Sequence, residues 1–161
     1  MIADPTIGLA RPADADAIAR ISRDQIEAGL LHWSWTPQRV LRAVRDRDTN
    51  VLVARDGVAV IGFALMRYDD DRAHLLLLGV ARHRRRQGIA TALLAWHERA
   101  LRTAGIHAVQ VELRASNDAA RAFYERLGFE PVNATPRYYQ GIETALHMVK
   151  GLPPPGSDPG D

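Results

Sequence analysis

A chain of 161 residues, 47% apolar and 25% charged, has the make-up of one soluble globular domain long enough to bury a core without covalent staples. It contains no cysteine, which excludes thiol nucleophiles, thiolate metal sites, iron–sulfur clusters and disulfides, and its histidines show no metal-ligand spacing. Of its 21 basic residues all but Lys150 are arginine, yet the net charge is only +2, too little spread over a domain to argue for a nucleic-acid partner. No apolar run approaches the roughly 18 residues of a membrane span. Met1 to Thr6 carry no basic stretch followed by an apolar one, so a cytoplasmic protein away from membranes is expected.

In chain order, the segment after Arg11-Pro12-Ala13-Asp14 predicts a helix with Ile18 and Ile21 on its apolar side. A second helix starts with Thr36 as N-cap and Pro37 in the first turn, and buries Val40, Leu41 and Val44. Trp33 and Trp35 fall between the two, as packing residues or as one wall of a substrate cleft. Two β-rich runs, from Val51 and from Val58, flank Asp56-Gly57, a hairpin signal. The unbroken apolar run His74 to Val80 predicts a central strand covered on both faces. A helix from Gly88 to Ala104, a strand from Val109 to Arg114, a helix from Asp118 to Leu127 and a strand from Ala145 to Val149 follow. Residues 1–150 are expected as a single domain, and 151–161, rich in Pro and Gly, as a disordered tail. The order implies an α/β (α+β) fold, one mixed sheet with helices on its faces.

The chemistry concentrates where the central strand ends. Gly79-Val80-Ala81-Arg82-His83-Arg84-Arg85-Arg86-Gln87-Gly88-Ile89-Ala90 places an arginine-rich turn and a glycine at a helix start, where unpaired N–H groups and the helix dipole favour an anion. A solvated basic turn is the competing reading. No phosphate-loop lysine motif and no Gly-x-Gly-x-x-Gly follow the strand, which argues against ATP or NAD.

Arg85-x-x-Gly88-x-Ala90, with Leu113-Arg114-Ala115-Ser116-Asn117 through Phe123-Tyr124-Glu125-Arg126-Leu127-Gly128-Phe129, resembles the two acetyl-CoA motifs of the GCN5-related N-acetyltransferases over about Leu9 to Lys150. The resemblance implies a mostly antiparallel central sheet with a bulged, splayed central strand. It also implies acetyl-CoA as cosubstrate and no metal. Arg85, Arg86, Gln87, Gly88, Ile89, Ala90 and Thr91 would cradle the pyrophosphate, Leu78, Gly79 and Val80 would pair with the pantetheine arm, and Asn117 and Tyr124 would complete the cofactor site. Asn117 equally suits a helix N-cap.

Tyr124 is the candidate general acid, because a neutral phenol still holds its proton at pH 7. Glu112 matches the glutamate that ribosomal-protein alanine N-acetyltransferases carry as general base. Tyr138 and Tyr139, before Glu143, are similar to the tyrosine pair that lines the peptide-entry loop of protein N-terminal acetyltransferases, and with Trp33 they are the candidate substrate contacts. The activity implied is direct acetyl transfer to a primary amine, a protein or peptide N-terminus first, by a monomer or a homodimer. A small-amine acetyltransferase, a non-catalytic CoA-binding module and, weakest, a nucleic-acid binder are the alternatives.

Overall fold

The structure, a computed structural model, describes residues 4–156. Its strands are β1 (Thr6–Leu9), β2 (Thr49–Asp56), β3 (Ala59–Tyr68), β4 (Ala73–Val80), β5 (Ala108–Arg114), β6 (Glu130–Tyr139) and β7 (Glu143–Gly151). Its helices are α1 (Ala15–Gln25), α2 (Pro37–Arg45), α3 (Ile89–Thr103) and α4 (Asp118–Arg126). Hydrogen bonding orders the strands β1-β2-β3-β4-β5-β7-β6. The β1/β2, β2/β3, β5/β7 and β6/β7 ladders are antiparallel, while β4 and β5 run parallel. This is the mixed, mostly antiparallel sheet expected. Among the described residues the parallel ladder covers only Ala73–Leu75 against Val109–Val111, so β4 pairs with β5 over its first part alone.

Among the described residues two compact units are distinguished, 4–68 with 76–97, and 69–75 with 98–156. In the first, α1 and α2 bring Ile18, Ala19 and Val40 onto Val51, Val53, Phe63 and Leu65. The intervening residues of β3 point the other way, towards α3, where a Cβ on Gly62 would lie 3.1 Å from Ile89 Cγ2. Helices on both faces explain why Ile61 to Met66 are all buried. Thr36 caps α2 by accepting the Arg39 N–H at 3.3 Å, with Pro37 in the first turn as expected. The hairpin turn falls one residue later than the Asp-Gly signal implies, on Gly57-Val58, because a register irregularity between Ala54 and Arg55 makes Asp56 pair with Ala59.

In the second unit β5 alternates, burying Val109, Val111 and Leu113 and turning Gln110, Glu112 and Arg114 to the opposite face. Asn117 caps α4 by accepting the Ala120 N–H at 3.0 Å, and the helix closes at Gly128, φ 96°, with the Phe129 N–H on Tyr124 O at 3.0 Å. The tail expected to loosen from Gly151 is tied down at its start. Leu152 is buried and donates its N–H to His107 O at 2.7 Å, and Arg102 donates to the carbonyls of Pro153 and Pro154 at 3.0 and 2.9 Å. Most of the remaining tail, 157–161, lies outside the described residues.

One histidine is wholly interior. His97 on α3 is 0% exposed, and its Nε2 bonds to Ala64 O at 3.0 Å. Burial disfavours the imidazolium and pulls its pKa down to about 4. The unfolded chain, with an ordinary imidazole near 6.5, binds this proton first, so stability falls as pH drops from about 6.5 towards 4. Chemical denaturation at pH 7.5 and 4.5 is expected to show a loss on the order of 2 kcal/mol from this group. His97→Gln, which keeps a donor for the Ala64 carbonyl, is expected to lose less over the same interval.

Candidate active site

The first unit carries the anion-binding features. After β4 a short helical turn, Arg82–Arg84, leads into Arg85 to Gly88, all exposed, and then into α3. Two residues here adopt left-handed backbone, Arg86 at φ 61° and Gly88 at φ 77°. Only glycine does so without strain. The Ala92 N–H bonds to Gly88 O at 3.0 Å as the first turn of α3 closes, and the preceding amides belong to the N-terminal group that a helix cannot satisfy internally. Nothing lies within 4 Å of where a Gly88 Cβ would be, so the loop is open at the position where a phosphate must come close. An exposed, positively polarised turn with clear space beside its glycine fits a diphosphate.

Of the arginines in this turn, Arg84 is not solvated. It is buried, donating from Nε to Gln87 Oε1 at 2.8 Å and pairing through Nη1 with Asp56 Oδ2 at 2.6 Å. Its role is to pin the loop to the β2–β3 hairpin, and it engages the Gln87 side chain, leaving the Gln87 backbone N–H to the loop. Arg85 and Arg86 remain exposed.

Gly79 has a packing reason beyond strand geometry. A Cβ there would sit 2.8 Å from Phe63 Cε1, and Phe63 is fully buried. Leu78 and Val80, on the other face of β4, are half-buried. Trp33 packs against the cluster under α1 and α2 with Arg23 5.0 Å over its ring, the arrangement of a packing residue. Glu27, which sequence reasoning passed over, is buried and accepts from the Ser34 N–H at 2.7 Å, fastening the segment that holds Trp33 and Trp35.

The second unit brings together Tyr124, Glu112, Tyr138 and Tyr139. Tyr124 is the buried residue of α4, with the Phe123 and Phe129 rings edge-on at 5.2 and 5.3 Å. Burial, reinforced by the neighbouring Tyr139, pushes its phenol above the ordinary range. Tyr139 is raised in the same direction, by burial and then by Glu112 and Tyr138. Glu112 stands on the open face of β5, where Oε2 accepts the Tyr138 hydroxyl. His147 Nδ1 and His74 Nε2 lie 3.4 and 3.8 Å from Oε1. No local spacing marks either histidine in the sequence; the β5/β7 register sets His147 directly opposite Glu112. Asn117 is exposed, and its Oδ1 is used as the α4 cap. Among the described residues no cluster of His, Asp or Glu could hold a metal ion.

Residues 16–129 match the model of the acetyltransferase (GNAT) family. The chain belongs to that family. Acetyl-CoA is the cosubstrate its members share. The chain is 34% identical to the [ribosomal protein bS18]-alanine N-acetyltransferase of Salmonella typhimurium over 129 residues, 78% of this chain and 86% of that one. It is 36% identical over 95 residues to an uncharacterized N-acetyltransferase of Methanocaldococcus jannaschii, spanning 61% of that relative's length. In structure it is similar to the Escherichia coli ribosomal-protein-S18-alanine N-acetyltransferase, with a TM-score of 0.81 and 26% identity over 96% of this chain and 97% of that one. No helix among the described residues is long and apolar enough to cross a membrane.

Gly88→Ala tests the loop. A side chain held at φ 77° costs about 1 to 2 kcal/mol. The loop relieves that by turning its amides away, and calorimetry is expected to show coenzyme A bound roughly tenfold more weakly with the thermal midpoint little changed.

Proposed function

We propose that the chain transfers the acetyl group of acetyl-CoA to a primary amine, and that the amine is the N-terminal α-amine of a protein or peptide. The observation that carries the reading is the pairing, within one unit, of a carboxylate that accepts a tyrosine hydroxyl with a buried phenol whose proton is held tightly. The 34% identity to a ribosomal-protein alanine N-acetyltransferase across most of both chains supports the choice of acceptor.

The bound cosubstrate supplies an acetyl thioester, so the chain must make an amine nucleophilic and steady a departing thiolate. A peptide α-amine, with an ordinary pKa near 7.7 to 8.0, is neutral to roughly a tenth at pH 7, whereas lysine, near 10.4, is almost wholly charged. A carboxylate is an adequate base for the first and a poor one for the second. Glu112 is the group placed for that proton. Backbone amides from Arg85 to Thr91 hold the diphosphate, and Leu78, Gly79 and Val80 pair with the pantetheine arm.

Tyr124 acts as hydrogen-bond donor and acid. Its raised pKa keeps Oη protonated through the working range, yet makes complete transfer to a thiolate, ordinarily near 8.5, uphill. Its contribution is therefore strongest as charge develops on sulfur, with the proton following. Tyr138 and Tyr139 offer hydroxyls to the peptide backbone.

Wild-type protein incubated with acetyl-CoA and a panel of N-terminal peptides, polyamines and aminoglycosides is expected to modify the peptide α-amines, read by mass. Acetylation of the small amines alone would transfer the reading to them. Tyr124→Phe is expected to lower kcat by roughly 10² while leaving acetyl-CoA affinity near wild type. Since this phenol loses its proton only above the ordinary range, kcat is expected to show no alkaline decline up to about pH 9.5.

A further inference from the structure

Glu112 is more crowded than a lone base would be. Tyr138 occupies Oε2, and Oε1 faces two imidazoles, His147 Nδ1 at 3.4 Å and His74 Nε2 at 3.8 Å. The β5/β7 register sets His147 directly across from Glu112. The far nitrogen of the same ring, Nε2, lies 2.8 Å from Thr135 Oγ1 on β6, a strand that is exposed along nearly its whole length. A carboxylate, an imidazole and an exposed hydroxyl thus stand in line, all within the second unit.

We propose that His147 is a positioning residue for the base: Glu112 and His147 accept the amine proton as one pair, and the proton comes to rest on the imidazole. The inference rests on the acetyltransferase reading. The relay requires the tautomer in which Nε2–H donates to Thr135 Oγ1 and Nδ1 presents its lone pair to Glu112. The N–H bond of the acceptor amine breaks as Glu112 takes the proton, and the resulting carboxylic O–H delivers it to Nδ1. That restores the carboxylate and leaves an imidazolium beside it, with no other bond changed. The imidazole gives the proton a resting place 3.4 Å from Oε1 and frees the carboxylate to accept again. The pair is then a better base near pH 7 than a carboxylate alone.

Each neighbouring strand contributes to the surroundings of this pair. His74 on β4 is the second imidazole, Tyr138 on β6 has its ring 5.9 Å from that of His147, and Tyr139 follows it. Arg114 on β5 and Glu143 on β7 pair with each other at 3.5 Å, so their charges largely cancel. Thr135 contributes no charge.

The test is kcat/KM against pH for wild type, His147→Asn and His74→Asn, with a peptide acceptor. Asparagine keeps a polar group beside Glu112 and cannot take up a proton. Wild type is expected to lose activity on the acid side, where the imidazole already carries a proton and cannot take another. His147→Asn is expected to move that limb down by about one pH unit and to lower kcat/KM at pH 7.5 about tenfold, with KM for acetyl-CoA unchanged. A His147→Asn profile that superimposes on wild type would reduce His147 to scaffolding and overturn the proposal. So would a larger shift from His74→Asn, which would hand the role to the other ring. Nuclear magnetic resonance needs no turnover: the ring nitrogens of neutral His147 are expected to show the proton on Nε2, as the relay requires, and a proton resting on Nδ1 refutes the pair. If wild type acetylates nothing, the acetyltransferase reading fails, and the tautomer still tests this one.

Discussion

The alternation of β5 is the constraint on which the placing of Glu112 and its neighbours depends. Val109, Val111 and Leu113 are each 6% exposed or less, and a strand with those three inward must turn Glu112 outward. A slip of one residue would bury the carboxylate and expose all three branched apolar side chains, which fixes the register firmly. Pairing with β7 then selects the neighbours. Val111 opposes Met148, which is fully buried, and Glu112 opposes His147. Apolar packing thereby places a polar group without any polar interaction having to choose its position.

The anion-binding turn is held by a different force. Its left-handed residues and exposed amides have little packing of their own, and the fastening comes from Arg84, whose guanidinium reaches Asp56 and Gln87. Arginine suits this better than lysine because one planar group serves two acceptors in fixed directions and carries its charge at any working pH. One of the turn's four arginines is thus committed internally, while Arg85 and Arg86 stay exposed. The low net charge of the whole chain hides this local concentration.

Much of the architecture was legible. Helices α1 to α4 announce themselves through apolar period, the Thr36-Pro37 and Asn117 caps and the Gly128 stop, and each lies where those signals put it. The strands with buried faces were equally plain. Two strands were not. Four-residue β1 is too short to show a period, and β6, exposed at nine consecutive positions, has no apolar alternation to show. It is a strand because β7 hydrogen-bonds it, which is a property of the pair. The hairpin turn moved by one residue for a similar reason, since the irregularity at Ala54/Arg55 depends on both strands.

The amino-acid order alone determined the family, the helix limits, the anion-suited glycine turn and the identities of Tyr124 and Glu112, because these rest on local spacing and backbone chemistry. Tertiary structure decided what stands beside them. His74 and His147, far apart in the chain, meet Glu112 only through β4, β5 and β7. Arg84 proves to be an anchor because Asp56, on a hairpin far from it in the chain, reaches it. Contacts of that kind depend on strand register and burial, which a linear chain carries only implicitly and which packing alone makes definite.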